Sequence, residues 1–113
     1  MTRDQIEAAA MALPAVTKVV QWGESDVFKV GGKVFAMCHP SGGLSFKVSP
    51  IGFVVLTEAG GPGRQAPYCA KGQWVNVPLD AMGPDDLGSW LSVAHALIAA
   101  KLTKKLRGEL GLV

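Results

Sequence analysis

Disulfides, metal clusters and membrane spans all lack raw material in this sequence. Its 113 residues include two cysteines. Cys38 and Cys69 form no Cys-x-x-Cys pair. One disulfide is the most they could make, and two reduced thiols in a cytosolic protein is the reading the count favours. No apolar run reaches the ~18 residues of a membrane span, so no membrane partner is expected. The opening Met1-Thr-Arg-Asp-Gln-Ile-Glu carries Asp4 and Glu7 and leads into a helix rather than a signal peptide. These features place the chain in the cytoplasm. There is no internal repeat and no low-complexity tail.

Catalytic apparatus is equally scarce. No pair of carboxylates stands in an apolar setting suited to acid–base work. Gly60-Gly61-Pro62-Gly63 lacks the Lys-Ser/Thr and the strand-to-helix context of a phosphate loop. Cys38, His39, Cys69 and His95 match no structural zinc spacing, and adjacent Cys38 and His39 point to opposite faces of a strand. His95 reads as a half-buried histidine on a helix flank. A Cys–His nucleophile pair requires a proximity that spacing alone does not supply. No metal and no cofactor is expected, and the chain is read as a non-enzymatic domain.

What is present is a core. Apolar residues make up 49% of the chain and charged residues 18%. That excludes disorder and suits one domain spanning 1–113 with a core of its own. The net charge of +2 is too mild to demand nucleic acid by itself, so the placement of the basic residues matters more.

The N-terminus predicts a helix over about residues 3–12. Thr2 and Gln5 have capping-box spacing, Ile6, Ala9, Ala10 and Leu13 form its apolar stripe, and Pro14 stops it. Val16 to Trp22 reads as a strand of ambiguous phase, with Gly23-Glu24-Ser25 as its turn. The stretch from Asp26 to Val48 is three Val- and Phe-rich runs divided by Gly31-Gly32 and by Pro40-Ser41-Gly42-Gly43, the pattern of an antiparallel meander. A two-residue turn at Gly31-Gly32 sets Val30 opposite Lys33, Lys29 opposite Val34, Phe28 opposite Phe35 and Val27 opposite Ala36. Phe28, Val30, Phe35 and Met37 then share the core face. Val27, Lys29, Val34, Ala36 and Cys38 share the other. Leu44, Phe46 and Val48 continue the core face and send Ser45 and Lys47 outward beside Lys29.

Ser49-Pro50 reads as a helix start, with a short helix over about 50–59 burying Ile51, Val54 and Val55. Residues 59–72 form a loop, with Ala66-Pro67-Tyr68 as a defined turn. Trp74 to Val77 is a strand whose Val75 and Val77 go inward and whose Trp74 and Asn76 go outward. Pro84-Asp85-Asp86 opens the last helix. Its apolar stripe is Leu87, Trp90, Leu91, Ala94, Leu97, Ile98 and Leu102, and the tail from Gly108 frays. The simplest packing is an α+β two-layer sandwich: an antiparallel sheet with the N- and C-terminal helices on one face, and water on the other.

The outer face thus gathers Lys29, Lys47, Ser45, Trp74 and Asn76. Lysines there suit phosphates, and an exposed tryptophan offers a stacking platform. Lys33 at the hairpin tip and Arg64 in the Gly-rich loop could contact a backbone, and Lys104, Lys105 and Arg107, with Lys101, crowd the end of the last helix. Lysine and serine on a one-sided sheet are also what a merely solvated face carries.

Several segments resemble the MmcQ/YjbR family of small bacterial proteins, in order and over nearly the whole chain: Trp22-Gly23, Asp26-Val27-Phe28-Lys29-Val30, Gly32-Lys33-Val34-Phe35-Ala36, Phe46-Lys47, Ser49-Pro50, Ala66-Pro67-Tyr68, Trp74-Val75 and Lys101 to Arg107. The resemblance implies a CyaY/frataxin-like fold and a DNA-binding "double-wing" arrangement of hairpins. The chain departs from the family's Ser-Tyr at Ala94-His95 and from its Leu-Pro at Leu102-Thr103. The second departure predicts that the last helix runs into the basic cluster without a break. Frataxin-like iron binding is not expected, since the corresponding region offers only Asp4, Glu7 and Glu24.

The expectation is therefore a binding domain for DNA, weakly selective for sequence, because no helix combines base-reading residues with a basic flank. The alternative is a protein- or small-ligand-interaction module that uses the same face with Trp74 as its anchor.

Overall fold

The computed structural model describes residues 2–40, 42–67 and 69–112. Among them the elements are α1 (Arg3–Met11), β1 (Val16–Gln21), β2 (Ser25–Val30), β3 (Lys33–Cys38), β4 (Leu44–Lys47), α2 (Pro50–Thr57), β5 (Arg64–Gln65), β6 (Trp74–Val77), α3 (Pro84–Ala99) and α4 (Lys104–Glu109). The strands form one antiparallel sheet in the order β1-β2-β3-β4-β6-β5. Ile6 and Ala10 of α1, Leu56 of α2 and Leu87, Leu91, Ala94 and Ile98 of α3 join one core with Phe28, Val30, Phe46, Val75 and Val77 of the sheet. That is the expected two-layer α+β sandwich. The expected loop over 59–72 contains the two-residue edge strand β5. Ser41 and Tyr68, parts of two expected turns, lie outside the described residues.

Local sequence sets the helix starts. Thr2 Oγ1 accepts from the Gln5 backbone at 3.1 Å and Gln5 Oε1 accepts from the Thr2 backbone at 2.8 Å, a complete capping box. Ser49 Oγ accepts from Gly52 N at 3.0 Å with Pro50 at the first helical position. Gly52 lies beneath Trp90: a Cβ there would sit 3.1 Å from the indole. Trp90 in turn leans on Phe46, ring centres 6.3 Å apart.

The β2–β3 register departs from the expected hairpin. Val30 pairs with Lys33 and Lys29 with Val34, but Phe28 then pairs with Ala36, Val27 with Met37 and Asp26 with Cys38. A β-bulge at Phe35 absorbs one residue, so Phe35 and Ala36 both face the core opposite Phe28. The consequence reverses three assignments. Ala36 and Cys38 are fully buried in the core, and Met37 stands on the outer face, half-buried.

α2 is the second correction. Its core contacts are Gly52, Leu56 and half-buried Phe53, whereas Ile51, Val54 and Val55 are 78%, 58% and 51% exposed. Nearly every residue of this helix is apolar, so composition could not choose the face. The third correction is at the C-terminus. α3 ends at Ala99, Leu102 turns inward against Gly31, and Thr103 caps α4 by accepting from Leu106 N at 3.1 Å. The tail does not fray at Gly108, since Leu110 and Leu112 pack against the core.

Candidate binding cleft on the outer sheet face

The outer face is not open to water over its central strands. Ser25, Val27, Ser45 and Lys47 all point away from the helices, yet each is at most 6% exposed. Two walls rise over them. One is the β1–β2 turn. Gln21 pairs with Ser25, leaving a three-residue loop of Trp22 (φ 52°), Gly23 (φ 75°) and Glu24 (φ 69°), all left-handed. For Trp22 and Glu24 this conformation costs about 1–2 kcal/mol each. It turns the indole away from the strand's alternation and over the sheet. The other wall is the segment after β5. Gln65 Nε2 donates to the carbonyls of Ala66 (3.0 Å) and Cys69 (3.3 Å), and its Oε1 accepts from Gly72 N at 2.9 Å, tying that loop to the edge strand.

Between the walls lies a cleft of about 580 Å³. Trp22, Pro67, Cys69 and Trp74 form its sides. Val34, Met37, Ser25 and His39 contribute its floor and one end. An adjoining hollow of about 400 Å³ shares Trp22, Ser25, His39 and Pro67 and continues to Pro40, Gly42 and Asn76. Among the described residues no Lys, Arg, Asp or Glu lines either space. The thiol of Cys69 is pushed above its ordinary range by burial, the direction opposite to an activated nucleophile.

A polar chain runs under the cleft. Ser25 Oγ donates to the Trp22 carbonyl (3.2 Å) and lies 3.2 Å from His39 Nδ1. His39 Nε2 lies 3.0 Å from Ser45 Oγ, which accepts from Asn76 Nδ2 at 3.0 Å. One arrangement fills every contact. Asn76 donates to Ser45, Ser45 donates to His39 Nε2, the Nδ1–H of His39 donates to Ser25, and Ser25 donates to the Trp22 carbonyl. From the other side, Arg3 of α1 donates to the Glu24 carbonyl at 2.6 Å and grips Asp26 through Nε (2.8 Å) and Nη2 (3.0 Å). The strained turn that carries Trp22 is therefore held at both ends.

The expected site residues divide. Trp74 forms a wall of the cleft, and Asn76, also on β6, joins the polar chain. Lys29 is half-buried beside Val34. Lys47, expected to be open, is 6% exposed and donates to Gln73 Oε1 at 2.6 Å. Burial, and then the charge of Lys101, lower its pKa. Lys33 is exposed at the hairpin tip, and Arg64 is exposed on β5 opposite Asn76. Lys104 and Lys105 are exposed on α4, and Arg107 lines a groove with Leu13, Pro14 and His95 on the helix side. The nine residues do not share one surface.

Cys38, His39, Cys69 and His95 do not gather either. Cys38 is in the core. His95 is buried on α3, bonded to the Pro14 carbonyl at 2.8 Å and edge-on to Phe35. Among the described residues no three His, Cys, Asp or Glu side chains are placed to hold a metal ion, and no helix is long and apolar enough to cross a membrane. Sequence reasoning missed Trp22, Ser25 and His39 as parts of one site. The available signal was a run of small polar residues, Ser25, Ser45 and Asn76, at outward positions of neighbouring strands.

Three comparisons with known proteins bear on this fold. The family model described as YjbR matches residues 11–97. Among solved structures, the Deinococcus radiodurans protein DR2400, with the family-model domain DUF419, is similar at a TM-score of 0.86 and 28% identity, over 99% of this chain and 89% of that one. None of the curated proteins matches.

Proposed function

The chain belongs to the YjbR family, and we propose that within this frame it is a non-enzymatic binding domain whose outer-face cleft takes a small, uncharged aromatic molecule between Trp22 and Trp74. The observation that carries the reading is the cleft itself: about 580 Å³, two tryptophans, a thioether and a proline, and no ionisable group of fixed charge along its lining. That volume lies within the usual range of small-molecule sites, and an apolar wall with a few fixed polar groups is their usual composition. A charged or phosphate-bearing occupant would find no counter-charge there, because Lys47, the central lysine of this face, is enclosed against Gln73. The remainder of the Asn76 amide gives the occupant's polar edge something to meet at the Pro40 end.

The test is titration with N-phenyl-1-naphthylamine, a neutral aromatic fluorophore, set beside labelled duplex DNA at two salt concentrations. Saturable fluorophore binding is expected. Trp74→Ala should weaken it by at least about tenfold, as truncation of a buried aromatic anchor does, and Lys29→Ala with Lys47→Ala should leave it within about twofold. Salt-dependent DNA binding lost on Lys29→Ala and Lys33→Ala, with no fluorophore uptake, would replace this reading with a nucleic-acid one.

A further inference from the structure

We propose that β1 is the seat of a homodimer: a second copy of the chain lays its own β1 antiparallel along this edge, extending the sheet across a two-fold axis at Val19. Among the described residues β1 ends the sheet and pairs only with β2, so alternate N–H and C=O groups of its six residues face outward. An edge of that kind selects an extended backbone as its occupant. Thr17 to Val20 are exposed, Val19 by 40% and Val20 by 56%. The devices that normally blunt such an edge are missing. β1 has no proline, and its register with β2 is unbroken over all six pairs. Its one lysine, Lys18, is ion-paired to Glu7 of α1, so the edge's one positive charge is partly neutralised.

The occupant is a second copy for a topological reason. Head-to-tail growth of the sheet would need a second usable edge, and the opposite one, β5, is two residues long. A closed, isologous pair through β1 is what remains. Its register follows from the pleat. Residues opposite each other in a continuous sheet share a face, so the axis passes through a residue and not between two. An axis at Lys18 sets two ammonium groups face to face. An axis at Val19 sets Val19 against its own copy on the outer face, Lys18 beside Val20 of the partner subunit, and Thr17 beside Gln21 of the partner subunit, while keeping most of the strand paired.

The experiment is sedimentation velocity on the full chain from about 1 μM to about 1 mM. A species of twice the 11.8 kDa chain mass is expected at the upper end. Val19→Lys should weaken the dimer by at least about tenfold, with the monomer's far-UV circular dichroism and melting temperature at low concentration unchanged. In a Cys69→Ser background, Val19→Cys should form an intermolecular disulfide under mild oxidation, since symmetry-related Cβ atoms at the axis lie within bridging reach, whereas Thr17→Cys should not, being about 13 Å from its own copy. A chain that stays monomeric throughout, a dimer indifferent to Val19→Lys, or cross-linking at Thr17 in place of Val19 would each overturn the proposal.

Discussion

Replacing Ser45 by alanine tests whether the polar chain under the cleft acts as one unit. Ser45 is 1% exposed and sits at the middle of the sheet. Its hydroxyl is the junction of the chain, 3.0 Å from His39 Nε2 and 3.0 Å from Asn76 Nδ2. Alanine removes one oxygen and leaves a hole too small for a water. His39 then loses a partner for Nε2 and Asn76 loses an acceptor. Stranding buried polar groups costs about 1–3 kcal/mol. For a domain of this size each kcal/mol moves the melting temperature by roughly 4–8 °C. The expected drop is therefore between roughly 4 and 24 °C, read by far-UV circular dichroism at constant pH. Asn76→Ala should show a loss of its own. The double variant should lose less than the sum, with a coupling of at least about 0.5 kcal/mol, because both side chains meet at one hydroxyl. A Ser45→Ala protein melting within about 1 °C of the parent, or strict additivity with Asn76→Ala, would refute the network as drawn.

Two pH-dependent outcomes follow from the buried charges. Hydrogen bonds from Arg3 hold the Asp26 carboxyl below the usual carboxylate range, against the opposing effect of burial. As pH falls, the unfolded chain therefore takes up the proton first and stability declines. Melting temperature should drop from about pH 5 to about pH 2, and Asp26→Asn should lie lower at neutral pH and follow a flatter line in acid. At Lys47 the sign is reversed. Burial, reinforced by Lys101, lowers the ammonium's pKa, so the folded protein releases this proton first as pH rises. Stability should then climb with pH until the ordinary lysine range is passed. Lys47→Met, close in volume, should melt a few degrees higher at pH 7 and lose that alkaline climb, because exposed Gln73 can return to water. A lower melting temperature for Lys47→Met would show that the Gln73 contact outweighs the burial.

The element borders were largely legible in the residues, and for identifiable reasons. Thr2 and Gln5, Ser49 and Pro50, and Pro84 act through one or two local hydrogen bonds or a fixed dihedral angle, so the chain carries them openly. The alternation Leu44-Ser45-Phe46-Lys47 gave the right faces because β4 is regular. The bulge at Phe35 was not legible. Val34, Phe35, Ala36 and Met37 are all apolar, so sliding the strand by one residue exposes no polar group and carries no local signal. What selects the bulge is tertiary: it allows Phe35 and Ala36 to enter the core together opposite Phe28, with Phe35 meeting His95 edge-on. The same blindness affected α2, where an unbroken apolar surface left Leu56 and Val55 equivalent until a neighbour was present.

The site was hidden for a different reason. Lysine and serine alternating with phenylalanine normally mark a solvated face, and that inference holds only while nothing covers the strand. Here the cover comes from backbone conformation. Three consecutive left-handed residues fold Trp22 over β2 and β3, and a non-glycine residue in that region is an outlier that composition cannot announce. The strain at Trp22 and Glu24 persists because Ser25 and Arg3 each hold a carbonyl of the turn. With the turn set over one end of the face and Lys47 enclosed against Gln73 at the other, the outer lysines no longer form an array, and the face recognises by shape instead of by charge. The Trp22 wall of the cleft thus depends on two hydrogen bonds to main-chain oxygens, and loosening either should open that wall while leaving Lys47 enclosed against Gln73.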